Sequence, residues 1–267
     1  MLSGILRDLK EMTAEQVDCW ELLYQLTLRD LKLRYKQTAM GFGWAVFMPL
    51  LNTALFSVIF TRVAPLETGA PYPVWSYCGL AVWNFFASGV KFATNSLSSN
   101  ISLVTKVYFP REVLPVSAVL VSGVDFLVSC TVLAALMAWY HLVPGPYLLF
   151  IPVLLVIQLM FTTAIALLLS MANVFFRDVK YLVEALMTVW MFSTSVVFPV
   201  DRVGGHLGTV LALNPMTPLI EAYRSVILFG RPPSLGAFVY VAIVSSTLLI
   251  AAWLFFHRSE FRFAESV

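Results

Sequence analysis

The chain has 267 residues, of which 60% are hydrophobic and only 12% charged. About a quarter of a soluble domain is charged, so this composition, with a mean hydropathy of +0.84, excludes a disordered chain or a disulfide scaffold and weighs against a soluble enzyme. The 17 basic and 15 acidic residues nearly cancel, which is no footprint for nucleic acid, since that needs a clustered basic face.

Residues 17–36 read as an amphipathic helix. Val17, Trp20, Tyr24, Leu28, Leu31 and Tyr35 recur on one face; Asp18, Glu21, Gln25, Arg29, Lys32 and Lys36 recur on the other. Asp30 and Arg34 stand at i,i+4 as a pair. Such a helix just before a span belongs in the membrane interface. It is either a plain surface anchor or also a contact for a cytoplasmic partner. Its basic residues Arg29, Lys32, Arg34 and Lys36 are candidates to meet anionic lipid headgroups. No signal-peptide run precedes it, so insertion is expected to rely on the first span.

A helix needs roughly 20 mostly apolar residues to cross the hydrocarbon core. Gly43–Thr61 carries no Asp, Glu, Lys or Arg for 19 residues, and Thr68–Val90 for 23. Trp75, Tyr77, Trp83, Phe85, Phe86 and Phe92 crowd the second of these. Most such rings form interfacial belts or face lipid. Trp83, Phe85 and Phe86 lie too deep for a belt, and their flat faces suit weak contacts with sugar rings. With Trp44 on the first span and Trp190 on the fifth, they are the candidate substrate path.

The next inner loop, Asn100–Glu112, is too long for a tight turn and too apolar for a solvated one. Ser98 or Asn100 caps a short helix there, and Pro110 bends or ends it. Its apolar residues either fold back on the spans or dock another protein. Leu103, Lys106, Tyr108, Phe109, Arg111 and Glu112 are the docking candidates.

Val113–Tyr140 holds one charge, Asp125. Leu142–Phe176 holds none over 35 residues, with a turn at Pro144-Gly145-Pro146. A short inner loop follows, in which Arg177 and Asp178 are a second docking point or an ordinary polar hinge. Leu182–Val200 holds one charge, Glu184. Intramembrane carboxylates suggest function, yet helix packing is the better account of Asp125 and Glu184. Asp201–Pro233 contains two short apolar helical stretches, Leu207–Leu213 and Pro218–Phe229, separated by a turn at Asn214-Pro215. Two helices dipping into the outer leaflet fit, with Glu221 and Arg224 paired at i,i+3. Pro232–Phe256 is uncharged for 25 residues.

The fold class is therefore all-α integral membrane protein with six transmembrane helices. Residues 1–42 form a cytoplasmic N-terminus, 43–256 the membrane domain and 257–267 a cytoplasmic tail. With the N-terminus inside, cytoplasmic segments hold 12 Lys and Arg and external segments 4, which puts both termini in the cytoplasm. There is no G-x-x-x-x-G-K-[ST], so the chain cannot cradle ATP phosphates by itself. Cys19, Cys78, Cys130 and three scattered histidines offer no metal site and no disulfide framework.

Four strings carry a family resemblance. They are Leu28-Arg29-Asp30-Leu31-Lys32-Leu33-Arg34-Tyr35-Lys36-Gln37-Thr38 with Gly41 and Gly43-Trp44-Ala45; Val107-Tyr108-Phe109-Pro110-Arg111-Glu112-Val113-Leu114-Pro115; Asn173-Val174-Phe175-Phe176-Arg177-Asp178-Val179; and Asn214-Pro215-Met216 followed by Glu221, Tyr223 and Arg224. In this order they resemble the ABC-2-type permeases that export bacterial polysaccharides. The resemblance implies a homodimer in the plasma (inner) membrane, paired with two copies of a separate P-loop ATPase. It implies no cofactor on this chain, with ATP and Mg on the partner. The cargo would be lipid-linked O-antigen, capsule or teichoic acid. The loop after span two would be a coupling helix, and the external helices around Asn214, Glu221 and Arg224 would close the outer end of a channel. Two alternatives stay open: an ABC-2 permease for a small hydrophobic drug or lipid, and a proton-coupled carrier or membrane enzyme using Asp125 or Glu184.

Overall fold

The computed structural model describes residues 19–36, 40, 41, 43–106, 109–199 and 205–266, the side chains of Leu207 and of 260–266 excepted. Among the described residues there are ten α-helices and no strand. In chain order they are α1 (Trp20–Tyr35), α2 (Gly43–Val58), α3 (Tyr72–Ser99), α4 (Ile101–Lys106), α5 (Val113–Trp139), α6 (Ile151–Phe175), α7 (Val179–Phe192), α8 (Gly205–Leu213), α9 (Met216–Ile227) and α10 (Leu235–Ser266). A π turn, Ile59–Val63, prolongs α2, and a 3-10 turn, Pro146–Phe150, leads into α6.

Four segments are long and apolar enough to cross a membrane: Gly43–Val63, Val113–Trp139, Pro146–Phe175 and Leu235–Ser259. The other two expected spans differ from them for separate reasons. The 28 residues of α3 reach about 42 Å at 1.5 Å per residue, but Ser, Asn and Thr dilute its apolar character. It can afford them because it lies at the centre, packed by α2, α5, α6, α7 and α9. Most of its side chains, from Tyr72 to Leu97, are buried. The fifth window is helical only as α7, which stops at Phe192 after 14 residues; the chain then turns through buried Thr194, Ser195, Val196 and Val197.

Close packing on α3 rests on small residues and satisfied polar groups, as expected where lipid offers no hydrophobic drive between helices. A Cβ on Gly89 would stand 2.9 Å from the Thr162 methyl of α6, so only glycine permits this approach. Buried Gln158 of α6 donates to the Val82 carbonyl at 2.9 Å. A separate inner cluster joins Leu23 and Leu26 of α1 to Leu97, Val104, Val113, Leu114, Met171 and Phe256. It anchors α1 and α4 to the inner ends of the long helices. By contrast α2, which carries buried Pro49 within it, leaves Trp44, Phe47, Met48, Leu51, Leu55 and Val58 exposed.

Candidate functional site

At the end of α3 that carries Asn100, α1 lies along α5 and buries Leu23 and Leu26. Trp20, at 66% exposure, and Tyr24 face outward. Trp20 and Tyr24 of the apolar stripe thus face away from the protein, and the helix grips it through neighbouring positions. The expected Asp30–Arg34 pair does not form. Asp30 instead binds Arg29 at 2.8 Å and accepts from the Ser117 hydroxyl at 3.3 Å. Arg34 reaches across to Asp125 of α5, and the Tyr35 hydroxyl donates to the same carboxylate. The Arg34 guanidinium also lies 3.7 Å over the Phe92 ring, a cation–π contact strengthened by partial burial. Burial, and then the hydrogen bond to Asp125, hold the Tyr35 phenol well above its ordinary range. Arg29 further donates to Asn100 Oδ1 at 3.1 Å. Of the four basic headgroup candidates, Lys32 and Lys36 are exposed, whereas Arg29 and Arg34 are half-buried and occupied within the protein. Asn100 caps nothing with its side chain; its amide donates to the Ser96 carbonyl.

The inner loop expected to dock a partner splits into two parts. Lys106 is exposed on α4, and Leu103, Phe109 and Arg111 are half-buried; Tyr108 lies outside the described residues. Glu112 departs from the expectation. It is fully buried and accepts from the Trp253 indole of α10 at 3.0 Å, so it ties two helices together and is not available to a docking partner. Arg177 and Asp178 are both exposed. Their turn is held by Asn173, which donates to Ser98 of α3 at 3.1 Å and accepts from the Lys180 amide at 3.2 Å. Asn173 therefore fixes the second exposed loop to the end of the central helix.

The aromatic candidates are packed on one another. Trp83, Phe85 and Phe86 are buried. Phe86 stacks on Phe161 at 5.5 Å and meets Trp190 edge-on at 5.0 Å; Trp83 lies 5.5 Å from Phe86; Phe85 stacks on Phe126 at 5.5 Å. Edge-on and offset rings of this kind are a packed core, though Phe85 also reaches a cavity of about 170 Å³ that Trp44 and Asp125 line. Trp190 is half-buried, and Trp44 is exposed with its edge toward Phe47.

At the outer end, Arg224 has no exposed surface. It donates to the carbonyls of Trp75 (3.3 Å), Ser195 (2.5 Å) and Val196 (2.9 Å) and to Glu221 at 2.7 Å, and its guanidinium lies 3.4 Å over the Trp75 ring. Gly79 makes the room: a Cβ there would fall 2.3 Å from the guanidinium. The Ser195 hydroxyl donates to Glu221. Asn214 accepts from the Trp190 indole at 2.9 Å and donates to Ser193 and Thr194. The three expected gate residues thus converge on one stretch, Ser193–Val196, and rivet it to α3, α8 and α9. Ser195 and Trp75 were not foreseen. Their part is played mainly by backbone carbonyls, which no residue pattern announces. Of the two carboxylates expected within spans, Asp125 is engaged as described, while Glu184 is exposed on α7.

A family model described as ABC-2 type transporter matches residues 21–228. The chain belongs to the ABC-2 type transporter family. The match runs from the interface helix to the end of α9, and so takes in every group of this site but Trp253. Among curated ABC-2 relatives, the O-antigen export system permease protein RfbA of Myxococcus xanthus is 34% identical over 249 residues, 92% of this chain and 95% of that protein. Two Klebsiella pneumoniae proteins of the same name are each 30% identical over 253 residues, with the same coverage. An ABC-2 membrane chain is a transport subunit, in keeping with the missing phosphate-binding loop.

Proposed function

We propose that this chain is the permease subunit of an ATP-driven exporter that moves lipid-linked, O-antigen-like polysaccharide outward across the bacterial inner membrane. The observation that carries the reading is near end-to-end similarity to proteins named as O-antigen export permeases. In this reading six segments cross the membrane: α2, α3, α5, α6, α7 with the turn after it, and α10. Both termini lie in the cytoplasm, α1 lies in the inner interface, and α8 and α9 enter the outer leaflet without crossing. Residues 43–256 are the membrane domain between two cytoplasmic ends.

Two copies of the chain pair with two copies of a separate P-loop ATPase, which holds ATP and Mg. The exposed loops at Lys106 and at Arg177–Asp178 receive its push. Their rigid ties, Glu112 to Trp253 and Asn173 to Ser98, support a lever that passes movement to α5, α10 and α3. The polymer passes between the two copies, beside the open face of α2 that carries Trp44. The Ser193–Val196 rivet bounds its outer end. Lys32 of α1 and Lys36 at its C-cap, both exposed, meet anionic lipid. A carrier or enzyme built on Asp125 gains no support, since Arg34 and Tyr35 occupy that carboxylate.

The test is purification of the chain from its host in a gentle detergent, with mass spectrometry of what accompanies it. A P-loop ATPase near one-to-one is expected. A chain recovered alone from membranes that still export the polymer overturns the proposal.

A further inference from the structure

Building on the reading that the cargo is lipid-linked, we propose that the cavity between α1, α3 and α5 binds the phosphate group of an amphiphilic phosphate or diphosphate ester, and that Arg34 passes from Asp125 to this phosphate on binding. The cavity has a volume of about 510 Å³, and Arg29, Asp30, Arg34, Asn95, Ser96, Ser99 and Asn100 line its polar side, the one carboxylate, Asp30, being held by Arg29. Two planar guanidinium forks match phosphate oxygens, and amide and hydroxyl donors stand beside them. Leu33, Phe92 and Val121 form an apolar side, a surface suited to hydrocarbon next to a charged head. Leu33 is itself largely exposed, so the cavity opens toward the lipid-facing flank of α1.

Each arginine now rests on a carboxylate, and an incoming anion must displace one. Arg29 is held by its sequence neighbour Asp30. Arg34 is held by Asp125, which lies 91 residues away and has a second donor in the Tyr35 hydroxyl. When Arg34 leaves, Asp125 keeps a hydrogen bond and does not become a bare buried charge, the state that costs most. Arg34 is therefore the cation that exchanges. Asp125 also lines a deeper cavity of about 170 Å³ with Trp44, Asn52, Asn84 and Ser88. The Arg34–Asp125 pair thus joins the two cavities, one member lining each.

The experiment reconstitutes the full chain, with its ATPase where that co-purifies, into phosphatidylcholine nanodiscs and titrates farnesyl diphosphate. Loss of a charged hydrogen-bond pair predicts that Arg34→Gln weakens binding about tenfold. Asp125→Asn removes the competitor and is expected to tighten binding several-fold, which a purely structural role would not do. Unchanged binding in Arg34→Gln, or weaker binding in Asp125→Asn, overturns the proposal. If Asp125→Asn does not fold, Tyr35→Phe replaces it. Removing the hydroxyl leaves Asp125 more dependent on Arg34, so weaker binding is expected, and unchanged or tighter binding overturns the exchange. Farnesol is expected not to compete. Inorganic diphosphate competing as strongly as the farnesyl ester overturns the amphiphile, and displacement by phosphatidylglycerol nanodiscs overturns cargo in favour of ordinary lipid heads. Export with a co-purifying ATPase but no Asp125→Asn effect leaves the function standing and removes only the exchange. Binding without any ATPase does the reverse.

Discussion

Arg224 is a full charge held where solvent cannot reach it. Three carbonyls and Glu221 accept its hydrogen bonds, and the Trp75 ring covers its face. The Glu221 side chain is itself 42% exposed, so the loss on removing the guanidinium falls on the three buried carbonyls, at about 1–3 kcal/mol for each one orphaned and so at least about 3 kcal/mol together. Arg224→Ala is therefore expected to lose that much, read as a large drop in detergent melting temperature. Gly79→Ala tests the same knot from its other wall. Overpacking of this kind costs about 1–3 kcal/mol, because the new methyl meets the guanidinium and also lies 3.0 Å from the Val196 carbonyl. A melting temperature equal to wild type would contradict the packing. Tyr35 supplies a pH test at the inner end. Its raised phenol pKa means that the fold favours the protonated form. That contribution is full below the unfolded phenol value of about 10 and fades as pH climbs from there toward the folded value. Tyr35→Phe is expected to be less stable than wild type at neutral pH, with the gap narrowing as pH rises beyond that point.

The elements were legible in the sequence wherever periodicity or charge-free length was the governing signal. The short helices α4, α8 and α9, the amphipathic α1 and the four apolar spans sit where patterning puts them, with ends shifted by a few residues. Two cases escaped for physical reasons. The fifth charge-free window is apolar throughout, yet its last part is a hydrogen-bonded turn held by Asn214 and Arg224, and those ties are made to backbone. On α1 the apolar stripe was visible, but which neighbours would be buried depended on where α5 lies. The consequence is testable on that helix. Leu26→Ala, in the inner cluster, is expected to cost about 2–3 kcal/mol, while Trp20→Ala stays within about 0.5 kcal/mol, both by thermal melting in detergent. Equal losses at the two positions would mean that α1 is seated differently.

Across the whole molecule, α3 is the axis and the other helices are dressed around it, which explains a transmembrane reading for the most polar of the long helices. Hydropathy alone undervalues such a segment, because the helix's own carbonyls satisfy Ser76, Thr94, Asn95, Ser96 and Ser98 and its neighbours cover them. The candidate site was legible at the level of residue types and only partly at the level of roles. Arg29, Arg34, Asp125, Asn214 and Arg224 were all singled out, but their partners are distant in sequence. Glu112 was singled out as a docking residue and is interior, while Trp83, Phe85 and Phe86, singled out as lying deep, are buried against one another. The topology makes one further prediction. In a background lacking Cys19, Cys78 and Cys130, Thr105→Cys and Asp178→Cys are expected to react with an impermeant thiol reagent only from the cytoplasmic side. His206→Cys is expected to react only from outside. Reaction of the first two from outside would invert the orientation, and labelling of all three from one side would remove the six-span arrangement.

The Arg224 knot also bears on how the chain is made. The Trp75 carbonyl that receives this guanidinium comes 149 residues earlier, and the other acceptors lie at 195, 196 and 221. During synthesis α3 must therefore wait, its Trp75 end unsealed, until more than four fifths of the chain has been made. An arginine is costly in hydrocarbon, so it can be drawn in only once every acceptor stands ready. Arg224 is thus a closing bolt: a nascent permease cut short before it would carry an open outer end that quality control can distinguish from the finished protein.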